Sequence, residues 1–307
     1  MEALPTRPGW WTAATEILTD RLVLRAISPA DAAEVGSTLW TNRDHLGPWI
    51  NVPAVEPTEE SVRLRLCALA DAFAAGERLL YTVRLPGGND LLGCVGLTPA
   101  GEAWALSYWL AAAHTGRGYA REAVAALARL AFGYADADRV LIECLRDNAR
   151  SAGVARAVGF ERAGERDGVE AWVLTPDRLH AWECALGALR ALGAPRPTDD
   201  GRALRVTTRT RRALELRFAE LDGEPMMIAF ADVADPAALS PVACLTHNAA
   251  LSVGALCLDT GRLQLRHACR PEALSPADLD MLLREAERLR GLGCEPPCRT
   301  FAFDHIL

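Results

Sequence analysis

Residues 106–134, LSYWLAAAHTGRGYAREAVAALARLAFGY, decide how this chain is read. Leu106, Tyr108 and Leu110 alternate with Ser107 and Trp109, the period of a strand. A short loop follows, with Gly116 and Gly118 on either side of Arg117. Beyond it Ala120, Val124, Leu127, Ala131 and Tyr134 recur at helical spacing. A glycine loop at a helix start lets the backbone come close to a ligand. The unpaired first-turn amides there suit an anion such as a pyrophosphate, and Arg117 can add charge-assisted bonds. On these residues alone an ordinary turn and cap is the better reading, because glycine takes positive φ cheaply.

Working outward, the segment before this stretch carries several element signals. Arg21 to Ile27 alternates as a strand, and Ser28-Pro29 with Asp31 starts a helix to about Trp40. Asn42 to Pro57 reads as a loop containing His45 and Trp49. Thr58 caps a second helix with Val62, Leu66, Leu69 and Phe73 on its apolar side. Strands are predicted at 79–85 and 91–97, joined by PGGN. After the central helix come a strand at 139–145, a helix at 151–158 stopped by Gly159, and strands at 160–166 and 170–174. Strands and helices mixed in this order predict an α/β domain.

From Pro176 the character changes. The spacing predicts a helix over 178–192 and a linker of Gly, Pro and charge up to Arg202. Strands at 213–218 and 226–233 follow, then a helix from Ser240-Pro241 to about Ala249. A hairpin is predicted at 251–258 and 262–267 around a DTG turn, and a last helix from Ser275-Pro276 to about Leu289.

The 307 residues suggest two domains. A formal charge of −7 disfavours nucleic acid or an anionic membrane as partner and suits a cationic or amine substrate. The first residues lack a signal-peptide pattern, and the longest uncharged apolar run, 103–113, is too short to span a bilayer. Nine cysteines are scattered without zinc spacing, Cys294 and Cys298 being the nearest pair. They read as free thiols in a reducing cytoplasm, with no metal site.

Four separated stretches carry a resemblance to the GNAT family of N-acetyltransferases. HTGRGYAREAV, from His114, resembles its acyl-CoA-binding segment, whose pattern is Gln or Arg, two residues, Gly, any residue, then Gly or Ala. Here that pattern falls on Thr115, Gly118 and Ala120, so Thr115 stands where the family carries Gln or Arg. DRLVLRAISPADA, from Asp20, is similar to the opening strand and first helix. WTNRDHLGPWI, from Trp40, looks like the substrate-side segment of the ribosomal-protein-acetylating subgroup. DNARSAGVARAVGF, from Asp147, is similar to that subgroup's Asn, two residues, Ser element and its closing Gly-Phe.

The resemblance spans about 18–175 and implies a mixed central sheet flanked by helices, binding acetyl-CoA. The implied layout is an N-terminal extension 1–17 carrying Trp10 and Trp11, this domain at 18–175, a helix and linker at 176–202, and a smaller α+β accessory domain at 203–307. The last part resembles YbjN-like, type III secretion chaperone-like domains, through Thr246 to Leu251, the hairpin and LSPADLDMLL. That likeness implies a protein partner or self-association. His247 and His267 read as structural or surface groups.

The family places the acyl group in a gap between its fourth and fifth strands. By that likeness backbone N–H groups of Leu110, Ala111 and Ala112 bind the thioester side. Thr115, Gly116, Arg117, Gly118, Tyr119 and Ala120 wrap the pyrophosphate, and Asn148 binds the pantetheine arm. Ser151 is the implied general acid. Without the likeness Asn148 satisfies a loop and Ser151 begins a helix. Tyr108 donates a hydrogen bond or packs as a sheet aromatic. The family's usual base, a Glu, falls on Ala105, which leaves Glu143, Glu102, His45 or a water chain. Glu143 lies inside a strand, where burial would raise its carboxyl; facing solvent, or pairing with Arg139 or Arg146, is the alternative. Two functions compete: an acetyl-CoA-dependent N-acetyltransferase acting on a protein N-terminus or small amine, and a catalytically silent acyl-CoA-binding interaction module.

Overall fold

A computed structural model describes residues 13–88, 90–134, 137–208, 213–221, 224–234, 255–259 and 262–291. Several features of the sequence reading lie outside the described residues. These are Trp10 and Trp11, Asn89 of the PGGN turn, the helix from Ser240, the 246–251 segment with His247, Thr260-Gly261, and Cys294 with Cys298. The chain divides into two compact units, Met1–Pro176 and Asp177–Leu307.

The first unit is built on an eight-stranded sheet. In chain order its elements are β1 Glu16–Leu18, β2 Val23–Ala26, α1 Ala32–Thr41, α2 Arg43–Leu46, α3 Glu59–Ala74, β3 Leu79–Arg84, β4 Leu91–Ala100, β5 Ala103–Leu110, α4 Tyr119–Tyr134, β6 Val140–Leu145, α5 Ala149–Val158, β7 Glu161–Arg166 and β8 Val169–Leu174. The strand order is β1-β2-β3-β4-β5-β6-β8-β7. Only β5 and β6 run parallel; their neighbours are antiparallel. This is the mixed, helix-flanked sheet that the sequence predicts.

Both faces of the sheet are covered, which explains why β3 and β4 are buried along most of their length. On one face Val35 of α1 and Val62 and Leu66 of α3 pack with Ile27, Leu91 and Cys94, with Leu39 and Trp109 at the margin. On the other, α4 sends Val124, Leu127, Ala128 and Ala131 into complete burial. Local signals set the helix starts. Ser28 and Asp31 close a capping box, and Thr58 Oγ1 accepts from Ser61 N. Gly159, at φ 105°, ends α5 in a conformation that costs glycine little.

A buried ion cluster fastens this helical side to the sheet. Arg84 Nη2 bonds Asp31 Oδ1 at 3.1 Å and Glu34 Oε2 at 2.6 Å, while Glu34 Oε1 accepts from Leu91 N at 2.6 Å. Arg84 is its centre: removing it would take this cation from Glu34 and leave the buried Asp31 carboxylate with Arg25 Nη2, at 2.7 Å, as its remaining ion partner here.

The second unit is a six-stranded sheet with helices. Its elements are α6 Pro176–Arg190, β9 Arg196–Pro197, β10 Ala203–Thr207, β11 Ala213–Leu221, β12 Glu224–Ala234, β13 Ala255–Asp259, β14 Arg262–Cys269 and α7 Pro276–Gly291. The order is β13-β14-β12-β11-β10-β9, antiparallel throughout. Trp182, Ala185 and Leu189 of α6 share one core with Leu204, Leu216, Met227, Leu265 and with Leu279, Leu282 and Leu283 of α7. The helix after Pro176 is thus a core element of this unit. The segment 193–202 is structured too: β9 pairs with β10, and Asp200 Oδ1 accepts from Thr198 Oγ1 and Arg202 N. On the opposite sheet face the guanidinium groups of Arg217 and Arg266 lie over the Phe230 ring, at 4.4 and 4.9 Å. His267 is half-buried, in register with Ala229.

Trp182 is nearly inaccessible and stacks on Phe218 at 5.2 Å. Trp182→Ala should therefore destabilise the second unit by about 3–5 kcal/mol, from lost burial and the cavity left behind. Denaturant unfolding followed by the unit's own hydrogen exchange measures this; a loss below about 1 kcal/mol would mean α6 is not part of that core.

Cys67, Cys94, Cys144, Cys184 and Cys269 are free thiols. No cluster of His, Cys, Asp and Glu among the described residues could hold a metal ion. No described helix is long and apolar enough to cross a membrane.

Candidate active site

The site begins with two strands that part. Among the described residues β5 and β6 pair only at Trp104↔Val140 and Ala105↔Leu141. β5 nevertheless stays paired with β4 as far as Leu110, and β6 with β8 as far as Leu145. A notch therefore opens between residues 106–110 and 142–145. Side chains alternate across a strand, so the register sorts its walls. Leu106, Tyr108, Ile142 and Cys144 point to one face; Ser107, Trp109, Glu143 and Leu145 point to the other.

On the first face Tyr108 meets the start of α5. Its hydroxyl lies 2.9 Å from Ser151 Oγ and donates to Ser151 O at 3.3 Å. Asn148 is the N-cap of α5: its Oδ1 accepts from Ser151 N at 3.1 Å. The Asn-x-x-Ser spacing is thus a cap that fixes Ser151 in the first turn, with its hydroxyl on the notch. Burial pushes the Tyr108 phenol well above the usual tyrosine range, against the smaller opposing pull of the Ser151 hydrogen bond. Burial also raises the Cys144 thiol, with Ser151 and Trp172 beside it acting the other way.

On the second face Glu143 is exposed, as is Ser107. Of the alternatives open for this carboxylate, burial inside the strand is not found and the solvent-facing one is. Its neighbours Ile142 and Cys144 are inside, and the alternation of the strand turns Glu143 outward. The two arginines weighed as its partners bond elsewhere: Arg139 to Glu102 at 3.2 Å and Arg146 to Glu165 at 2.8 Å. His45 is half-buried in α2.

At the end of β5 the amides are already engaged. Ala111 N donates to Leu92 O at 2.8 Å, extending the ladder with β4. Ala112 N donates to Asn42 Oδ1 at 2.9 Å. Leu110 and Ala111 are buried. Residues 112–114 form one 3-10 turn, closed by Thr115 Oγ1 donating to Ala112 O at 2.9 Å. Thr115 thus spends its hydroxyl on the turn.

The loop then enters α4 through two left-handed glycines, Gly116 at φ 76° and Gly118 at φ 80°. A side chain at either is strained, and a Cβ at Gly118 would lie 3.3 Å from Arg21 Nη2 and 3.9 Å from Arg121 Nη2. The guanidinium groups of Arg21 and Arg121 thus meet at the helix start, where Arg117 is exposed and Tyr119 and Ala120 are half-buried. Arg21 comes from the turn between β1 and β2. It donates through Nη1 to Arg117 O at 3.1 Å and through Nε to Glu122 Oε2 at 2.7 Å, and it lies over the Tyr119 ring at 5.0 Å. Burial pushes the Glu122 carboxyl up, but bonds from Thr19 and Arg21 outweigh it and hold the group below its ordinary value. The chain contains no lysine, so every permanent side-chain cation in it is an arginine. Sequence reasoning passed over Arg21, Glu122 and Asn42, because their partners are 70 or more positions away.

Residues 21–161 match the family model described as an acetyltransferase (GNAT) domain. No curated protein matches the chain in sequence. Among solved structures, the ribosomal-protein-S5-alanine acetyltransferase from Vibrio fischeri is 22% identical over 53% of this chain and 98% of that one, with a TM-score of 0.49. RimJ of Mycobacterium smegmatis, solved with CoA-disulfide, is 23% identical over 56% of this chain and 91% of that one, at TM-score 0.49. The microcin C7 self-immunity acetyltransferase MccE, solved with acetyl-CoA and AMP, is 18% identical over 51% and 93%, at TM-score 0.47.

Proposed function

We propose that the first unit, which matches the acetyltransferase (GNAT) family model over residues 21–161, is an acetyltransferase domain of that family, and that this chain moves an acetyl group from acetyl-CoA to a primary amine. The observation that carries the reading is the notch between β5 and β6, with the Tyr108–Ser151 pair at one wall and the glycine loop of α4 beyond its mouth. Acetyl-CoA, when bound, supplies an activated thioester. The chain's residues fit its two ends. Gly116 and Gly118 let backbone amides approach phosphate oxygens, and Arg21, Arg117 and Arg121 bring charge to the same place.

Ser151 has a hydroxyl on the notch with the Tyr108 hydroxyl behind it. As Ser151 gives its proton to the departing sulfur, Tyr108 can pass its own to Ser151 Oγ, and the proton lost by the amine returns to the tyrosine through water, so that the phenol ends protonated as its burial requires. On the other face Glu143 and Ser107 border the side from which an amine enters; a carboxylate there can take its proton directly or through water. A chain of formal charge −7 suits a cationic acceptor, either a peptide N-terminus or a small amine. The second unit serves in this reading as a protein-docking or self-association module. The protein is placed in the cytoplasm, where acetyl-CoA is made available.

Two observations favour the competing, silent module: Ala105 offers no carboxylate, and the amides of Ala111 and Ala112 already have protein partners. Free-thiol release from acetyl-CoA by the purified chain, across N-terminal peptides, aminoglycosides, amino acids and polyamines, separates the two. Acceptor-dependent release establishes transfer. Acetyl-CoA binding with no release for any acceptor class would leave the silent module.

A further inference from the structure

We infer that Asn42 is a positioning residue that tethers the acceptor-side corner of the first unit to the cofactor-side end of β5. The inference rests on the acetyl-transfer reading for its functional meaning. It stands on its own for its geometry.

Asn42 sits between α1 and α2, and its carboxamide is engaged at both ends. Nδ2 donates to Thr38 O at 2.9 Å and to Thr41 Oγ1 at 3.3 Å. Oδ1 accepts from Ala112 N at 2.9 Å, across 70 positions of sequence. The backbone oxygen of the same residue accepts from His45 N at 3.0 Å and Leu46 N at 2.9 Å, so Asn42 also founds α2. Leu46 is buried, which anchors that short helix.

The position of Ala112 makes this contact more than a cap. Ala111 N is the last amide here to bond β4, and Ala112 N lies one step past the ladder, where a strand end leaves its donor without a backbone partner. From Ala112 the chain passes through one 3-10 turn to Thr115 and Gly116. One side chain therefore connects the segment leading to His45 and Trp49 with the exit of the strand that walls the notch. A carboxamide alone supplies the donor for Thr38 O and the acceptor for Ala112 N in one planar group. An aspartate keeps the acceptor and loses the donor; an alanine loses both.

Two binding events joined by such a tether are coupled, and the coupling works in both directions. An amine acceptor that orders the 43–57 segment holds the β5 exit in place through Asn42, and acetyl-CoA at the exit reciprocally favours the acceptor.

The test compares Asn42→Ala and Asn42→Asp with the unaltered chain. Amide exchange at Ala112 should become about tenfold faster in Asn42→Ala and stay slow in Asn42→Asp, because a single hydrogen bond of ordinary strength protects it. For Asn42→Ala the acceptor KM should rise about fivefold, and acetyl-CoA binding measured by calorimetry without acceptor should change less than about twofold. The acceptor's enhancement of acetyl-CoA affinity should disappear. Unchanged exchange at Ala112 in Asn42→Ala overturns the tether; faster exchange with an unchanged KM and intact enhancement overturns the coupling. If the unaltered chain binds no acetyl-CoA, the acetyl-transfer reading fails and the exchange measurement alone judges the tether. Should the alanine variant unfold, Asn42→Leu, which keeps the side-chain volume and loses both the donor and the acceptor, takes its place in the exchange measurement, with the same tenfold increase expected and an unchanged rate overturning the tether.

Discussion

Gly118→Val should abolish acetyl-CoA binding, weakening it by at least about a hundredfold, while the chain stays folded. Gly118 has φ 80°, which a β-branched residue adopts only under strain. The cost of such a conformation is about 1–3 kcal/mol, below the usual stability of a domain at about 5–15 kcal/mol. The contact that a Cβ meets first is Arg21 Nη2 at 3.3 Å, the far end of a side chain that can yield. The fold therefore survives, but the loop turns its amides away from the anion and Arg21 leaves its place. Gly116 is the control. Its Cβ would meet nothing within 4 Å, so Gly116→Ala pays only the backbone strain and should weaken binding by about tenfold. Calorimetry on both folded variants decides it. Unchanged affinity in folded Gly118→Val would remove the anion site from this loop.

Ser151→Ala should lower kcat by about 10²-fold, the usual weight of a positioned proton donor, and leave acetyl-CoA affinity within about twofold. Its backbone amide still donates to Asn148 Oδ1, so the cap of α5 remains. Tyr108→Phe should lose part of the same effect, and the double variant should be little worse than Ser151→Ala, because the two hydroxyls act as one unit 2.9 Å apart. The pH profile carries a sign. Burial raises the Tyr108 phenol, so the pair keeps its proton throughout the neutral range, and no falling limb from this group should be seen below pH of about 10. The same raised value favours the fold below the ordinary tyrosine range and loses that contribution as pH climbs through the folded value. An unchanged kcat in Ser151→Ala, with chemistry shown to limit turnover, would return Ser151 to a capping role.

Sequence periodicity reached the central strand, loop and helix, because β5 and α4 show their periods over many residues. Helix starts were legible through Ser28 and Thr58, whose side chains close local hydrogen bonds. Short or irregular pieces were not. β1 is three residues, and β9 two, too few for any period. β10, Ala203–Thr207, directly follows a stretch whose glycines and prolines read as linker. Glu143 shows a different failure: Ile142 and Cys144 on either side argue for the interior only if period two is ignored. Applied strictly, that period turns Glu143 outward, where the structure has it. The Arg21–Glu122 and Asn42–Ala112 bonds had no signal to find, since each joins segments that only the folded sheet brings together.

The all-arginine cation set of this chain has a chemical consequence for anyone handling it. Guanidinium groups stay protonated at any working pH, so they attract an acyl donor's phosphates without competing for its acyl group. With no lysine among 307 residues, the chain offers no side-chain amine to be acylated in place of an acceptor. A 42-dalton gain, on the order of one acetyl group, cannot then sit on a lysine of the protein. Ester reagents that label amines likewise find no side-chain target, and a fluorophore installed that way reports on an added peptide tag or a main-chain terminus.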